Sequence, residues 1–245
     1  MNREQQLAEA LVGLADSFAD DVDPVVLLDR LATNCREITG ADAVGVMVAP
    51  LRGGLRTMAV TDDRAALMEL FQLQTDEGPC VDSYRLGERV DATDLVSSTN
   101  RWPLVARFAR QAGFQAVHAL PLRVHQQTIG AVNLLLTGPG GLPELDLNLA
   151  QALADVTAVA LVNWNPYPIR PDDISTRVQG AIAAKATVEI AGGMLAEYGG
   201  LSLAKAYTAL RTYALGTDLR PTLVAHALVQ RTLLLEAVLP AHATG

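Results

Sequence analysis

At 245 residues, half of them hydrophobic, the chain can bury a real core, which argues against wholesale disorder and suits one large domain or two small ones. A net charge of -8 argues against broad, nonspecific attraction to nucleic acid or anionic membrane. Two cysteines, Cys35 and Cys80, cannot build a disulfide framework, and no CxxC or Cys/His cluster suggests zinc.

The start, Met-Asn-Arg-Glu-Gln-Gln, lacks the apolar core of a signal peptide. No run approaches the ~18 apolar residues of a membrane span, so a cytoplasmic protein is expected. Leu7, Leu11, Leu14 and Phe18 step by four, three and four, which predicts a helix over 3–19. Asp23-Pro24 is a cap followed by a proline, and starts a second helix over 25–38 with Leu28, Leu31, Cys35 and Ile38 on one face. Gly40 ends it. Val44, Val46 and Val48 alternate with smaller residues, as on a strand with one strongly buried face. A turn at 50–54 leads to a returning strand at 55–61 and a short helix at 63–73, whose Asp62-Asp63 start suits the helix dipole.

An irregular passage is expected over 74–101. Trp102-Pro103 then opens another helix that Gly113 ends, and tryptophan with its large buried area can fasten the long loop. Strands follow at 116–124 and 128–137, then a break at 138–141 and a helix over 144–163. The order predicts an α+β fold: an antiparallel sheet with flanking helices.

Three prolines between 166 and 171 forbid an ordinary continuous helix and favour a semi-rigid spacer. The expected domains are therefore 1–163, a linker at 164–172, and an all-α unit at 173–245. That unit reads as three helices, at 174–198, 202–215 and 219–231. Ala181, Ala184, Val188, Ala191, Leu195 and Tyr198 form a narrow seam on the first, the spacing of a helix packed on a partner helix. Residues 172–245 hold six basic and six acidic side chains, so the excess negative charge belongs entirely to the rest of the chain.

Three strings in the first domain, Glu77-Gly78-Pro79-Cys80-Val81-Asp82, Arg101-Trp102-Pro103 and Gly130-Ala131-Val132-Asn133-Leu134, resemble the GAF family of the actinobacterial regulator kind over about residues 20–163. The resemblance implies a regulatory input and leaves the ligand or cofactor open. Cys80, behind Gly78-Pro79, reads as a small, soft side chain packed at the sheet-loop junction, since no basic residue is adjacent; a signal position where backbone amides lower its thiol pKa is the sharper alternative. His118 and His125 lack a convergent ligand set, and no phosphate loop, GxSxG elbow or HExxH is present. No enzyme is expected.

The tail resembles the ANTAR family of RNA-binding antitermination domains. The resemblance rests on Ala191-Gly192-Gly193-Met194-Leu195, on Ala206-Tyr207-Thr208-Ala209-Leu210-Arg211-Thr212-Tyr213-Ala214, and on Leu223-Val224-Ala225. It implies a three-helix ANTAR-like domain that dimerises through the seam and contacts hairpin loops of nascent RNA. The implied RNA-binding positions are Lys185, Gly192, Gly193, Arg211, Tyr213 and Arg220. The family usually carries lysine where this chain has Gly192. A one-component antitermination regulator acting as a homodimer is the leading expectation. The alternatives are a sensor whose tail serves dimerisation or a protein partner only, and an enzyme walled by the 74–101 loop.

Overall fold

Asp23 and Pro24 start α1 (Pro24–Thr39) as the pattern predicts. Proline loses no hydrogen bond at the first helical position, and Asp23 Oδ1 accepts from the amides of Val25 (2.9 Å) and Val26 (3.4 Å). Gly40 closes the helix at φ +71°, a left-handed conformation that costs glycine little. The computed structural model describes residues 8–10, 12–13, 23–50, 54–95, 97–163 and 171–239. Most of the predicted 3–19 helix and most of the proline-rich segment lie outside the described residues.

The sheet contains β1 (Ala43–Val48), β2 (Arg56–Val60), β3 (Val90–Ala92), β4 (Ala116–Val124) and β5 (Gln127–Leu136), in the order β2-β1-β5-β4-β3. Every pairing is antiparallel. Side chains alternate across a strand, so β1 sends Val44, Val46 and Val48 into one core and Ala43 and Met47 into others. All six residues of β1 are buried. The expectation of one strongly buried face is corrected here, because β1 lies inside the sheet and both of its faces are covered by helices.

One layer holds α1 and α5 (Glu144–Asn163), which pack Leu28, Leu31, Leu153 and Leu161 against Val46, Leu120, Val132 and Leu134. The opposite layer holds α2 (Asp63–Thr75), α3 (Pro79–Leu86) and α4 (Pro103–Gln111). Both α3 and β3 fall within the passage expected to be irregular. By length and composition α5 could cross a membrane, but more than half of it is buried in this protein core.

The described residues of the tail form four helices: α6 (Pro171–Gly199), α7 (Leu203–Gly216), α8 (Pro221–Val229) and the short α9 (Leu235–Val238). Gly199 ends α6, Gly200 turns the chain at φ +59°, and Ser202 Oγ accepts the Lys205 amide at 3.4 Å to cap α7. Val188, Ala191 and Leu195 of α6 pack with Ala206, Leu210, Ala214, Val224, Ala225 and Leu228 around a core of their own.

This settles where the α6 seam goes. Ala181 packs into the sensor core and Val188, Ala191 and Leu195 into the bundle, while Tyr198 is about half exposed. The seam is consumed within one chain, so its expected role as the surface that pairs two chains is corrected. Leu203, in the first turn of α7, is 54% exposed.

Candidate functional site

The three strings that carry the first resemblance meet on the sheet face beneath α2, α3 and α4. Glu77, just before α3, accepts the amides of Leu104 (2.7 Å) and Val105 (2.9 Å) and so caps α4 from across the loop. Trp102 precedes α4 and is buried; its indole N–H donates to Asp82 Oδ2 at 3.0 Å. Arg101 donates to the same oxygen at 2.8 Å and lies over the Trp102 ring. The two strings therefore clasp one another. Asp82→Ala is expected to leave the buried indole N–H unpaired and to cost ~1–3 kcal/mol of stability, measurable by denaturant unfolding.

Inside the clasp lies a buried polar cluster. Asn133 on β5 donates from Nδ2 to Glu69 Oε1 of α2 at 2.6 Å, and the Cys80 amide donates to Gln72 Oε1 at 3.1 Å. Gly45 makes room for Glu69, since a Cβ there would stand 2.1 Å from Glu69 Oε1. Gly78, at φ +128°, gives room to Gln72 in the same way. Glu69 Oε2, Gln72 Nε2 and Asn133 Oδ1 are buried without a hydrogen-bond partner among the described residues. Burial pushes the Glu69 carboxyl up to about 7, although the Asn133 bond lowers it.

Two oxygens and one amide donor are thus buried in one cluster, groups able to hydrogen-bond a small polar molecule. Sequence reasoning missed Glu69, Gln72 and Asn133 as site residues. The buried stripe of α2, Ala65, Met68, Glu69 and Gln72, shows only in the fold, since two of its four residues are polar.

Cys80 sits at the edge of this cluster, its Sγ 3.4 Å from Met47 Sδ. Burial, then the neighbouring Glu69 charge, pushes its thiol well above the usual range, against a lowering from Asn133. Desolvation disfavours the thiolate, which opposes the alternative of a thiol pKa lowered by backbone amides. Cys80 packs as a protonated, soft side chain. His118 is likewise buried: Nε2 accepts the Leu142 amide at 3.0 Å, so Nδ1 carries the proton donated to Asp91 Oδ1 at 2.7 Å. It fastens the loop after β5. His125 lies exposed in the β4–β5 turn at φ +55°. Among the described residues no group of three or more His, Cys, Asp or Glu could hold a metal ion.

The six candidate positions of the tail divide into two groups. Lys185 on α6 and Arg211 on α7 line a cavity of about 400 Å³ between the tail and the sensor, walled by Met58, Asp29 and Tyr207. Arg211 and Arg220 line a second of about 680 Å³, facing Asp23 and Arg30. Arg211 pairs with Asp29 of α1, and Lys185 lies 3.9 Å from Glu189.

The other three serve the bundle or open space. Tyr213 is half-buried against the bundle core. A Cβ on Gly193 would meet nothing within 4 Å, whereas one on Gly192 would lie 2.3 Å from the Tyr207 ring. Gly192 therefore allows α6 and α7 to approach, and a lysine at that position would require the ring to move.

A five-stranded antiparallel sheet between helical layers, with a polar cluster buried on one face, is the α+β architecture of the first domain. The family model of the GAF domain matches residues 21–162, and the chain belongs to that family. Among solved structures it is similar to the phycoerythrobilin-bound GAF domain of a cyanobacterial phytochrome, at 14% identity and a TM-score of 0.50, covering 67% of this chain and 96% of that one. It is also similar to the GAF domain/HD domain protein of Geobacter sulfurreducens, with 21% identity, a TM-score of 0.48, and coverage of 65% and 95%. The free methionine-R-sulfoxide reductase of Neisseria meningitidis follows at 17% identity and 0.49, covering 75% and 95%. No curated protein matches the chain.

Proposed function

We propose that this chain is a non-catalytic, cytoplasmic one-component regulator whose GAF domain senses a small molecule and controls an ANTAR-like, RNA-binding tail in transcription antitermination. One observation carries the reading. Lys185, Arg211 and Arg220 come from α6, α7 and the cap of α8, yet they gather on the side of the tail that faces α1, where Asp23, Asp29, Glu189 and Asp218 line the same two adjoining cavities. Phosphates of an RNA hairpin loop can meet such a set of cations while unpaired bases stack nearby. The tail carries none of the chain's excess negative charge, so it repels RNA least.

On the sensor side, the Glu69, Gln72 and Asn133 atoms without partners offer the ligand both donors and acceptors. Acting as a homodimer, two chains would present two tails to paired hairpins. A second reading, in which the tail serves protein contacts only, is favoured by the engagement of Arg211 with Asp29.

Binding of short two-hairpin RNAs to the full chain decides between the two. The regulator reading expects binding that weakens steeply as salt rises from ~50 to ~200 mM and that Arg211→Ala reduces at least tenfold. Absence of binding across that series favours the protein-contact reading.

A further inference from the structure

Asp23 belongs to two helices at once. Its Oδ1 caps α1, while its Oδ2 accepts the Thr222 amide at 2.8 Å, in the first turn of α8. That end of α8 needs an outside acceptor: Pro221 has no N–H, and Arg220 at the cap position makes no side-chain cap. Asp23 of the sensor supplies it across 199 residues.

Between the two ends of this contact, Val25 of α1 packs into the tail's own core beside Val188 and Leu210. One turn further along, Asp29 takes Arg211. The acidic start of α1 thus holds α7 and α8, and does so with the cation that the RNA reading needs. A carboxylate on a guanidinium occupies the same donors as a phosphate.

We propose that Asp23 and Asp29 form an autoinhibitory latch: docking of α7 and α8 on α1 and engagement of RNA by the same cationic face are mutually exclusive. The proposal rests on the RNA reading above and adds its control. Release frees the α7–α8 end from α1 while α6 stays rooted in the sensor core through Ile174, Val178 and Ala181.

The latch is poised to open. Burial raises the Asp29 pKa by more than Arg211 and Lys185 lower it, so its ionised form is not held at a net advantage. A ligand that shifts α1 by repacking the sensor core needs only a modest difference in affinity between the docked and released states.

Asp23→Asn separates the two roles of that residue. The Asn carbonyl keeps the α1 cap, and its NH2 then faces the Thr222 N–H, donor against donor. Asp29→Asn removes the charge opposite Arg211. Hydrogen exchange of the full chain carrying both changes is compared with wild type, together with binding of a two-hairpin RNA to each. The latch predicts at least tenfold faster exchange at Thr222 and the start of α8, and at least tenfold tighter RNA binding.

Unchanged exchange overturns the latch, and the RNA reading then stands or falls on wild-type binding alone. Faster exchange with equal, measurable RNA affinity in both proteins overturns mutual exclusion. Faster exchange with no RNA bound by either protein overturns the RNA reading itself.

Discussion

Glu69→Gln is expected to make the protein more stable at pH 7 and to abolish a pH dependence that the wild type shows. In the fold the carboxyl titrates at about 7, against an ordinary value of 4.5. Below 4.5 both folded and unfolded chains hold the proton and no penalty for burying the charge arises. Between 4.5 and about 7 the unfolded chain gives up its proton first, so stability falls as pH rises; above 7 the loss is complete and constant. At ~1.36 kcal/mol per tenfold change in proton affinity, the full loss is about 3 kcal/mol.

Gln retains an oxygen to accept from Asn133 and carries no charge, so its unfolding free energy should lack this contribution across the same range. Denaturant unfolding at pH 5 and pH 8 measures the difference. Equal slopes for the two proteins would mean that Glu69 is solvated or paired in solution. A ligand that supplies donors to Glu69 Oε2 would stabilise the ionised form, so ligand binding should pull the apparent titration of this group downward.

Gly130→Ala is the second large effect expected. Gly130 lies in β5 opposite Val48 of β1 and Leu122 of β4. A Cβ at that position would stand 2.1 Å from the Met47 carbonyl oxygen and 2.9 Å from Val48 Cα. Both obstacles are backbone, so no rotamer change relieves them, and β1 must part from β5 over the strand that also carries Asn133. A loss of about 3 kcal/mol, the upper end for overpacking, is expected, seen as a lowered midpoint in urea with the slope unchanged.

Much of the architecture is legible in the sequence because its signals are local. Asp23-Pro24, Gly40, Asp62 and Ser202 mark helix ends within a residue of the predicted places, since caps and prolines act on their own backbone. Elements of eight, three and four residues at α3, β3 and α9 escape, being too short to show a period. The single buried face expected of β1 fails for a different reason: residues lying on both sides of an internal strand are buried by helices far away in sequence.

Distance along the chain also hid the site. The Asn133–Glu69 bond spans 64 residues, and Glu69 sits in a helix that exposes Leu67 and Leu70 while burying Glu69 and Gln72. Polarity gives the wrong face for such a helix. The seam of α6 is a related case. Its spacing announces a helical partner, but cannot tell a second chain from α7 and α8 of the same one.

The account turns on whether the tail meets RNA. Ultraviolet crosslinking of the native full chain, followed by sequencing of the recovered RNA, tests this most directly when run beside Arg211→Ala. The account predicts a set of transcripts enriched in adjoining stem-loops, depleted at least tenfold in the variant. Recovery no greater than background from both proteins, or an identical set from both, would contradict it.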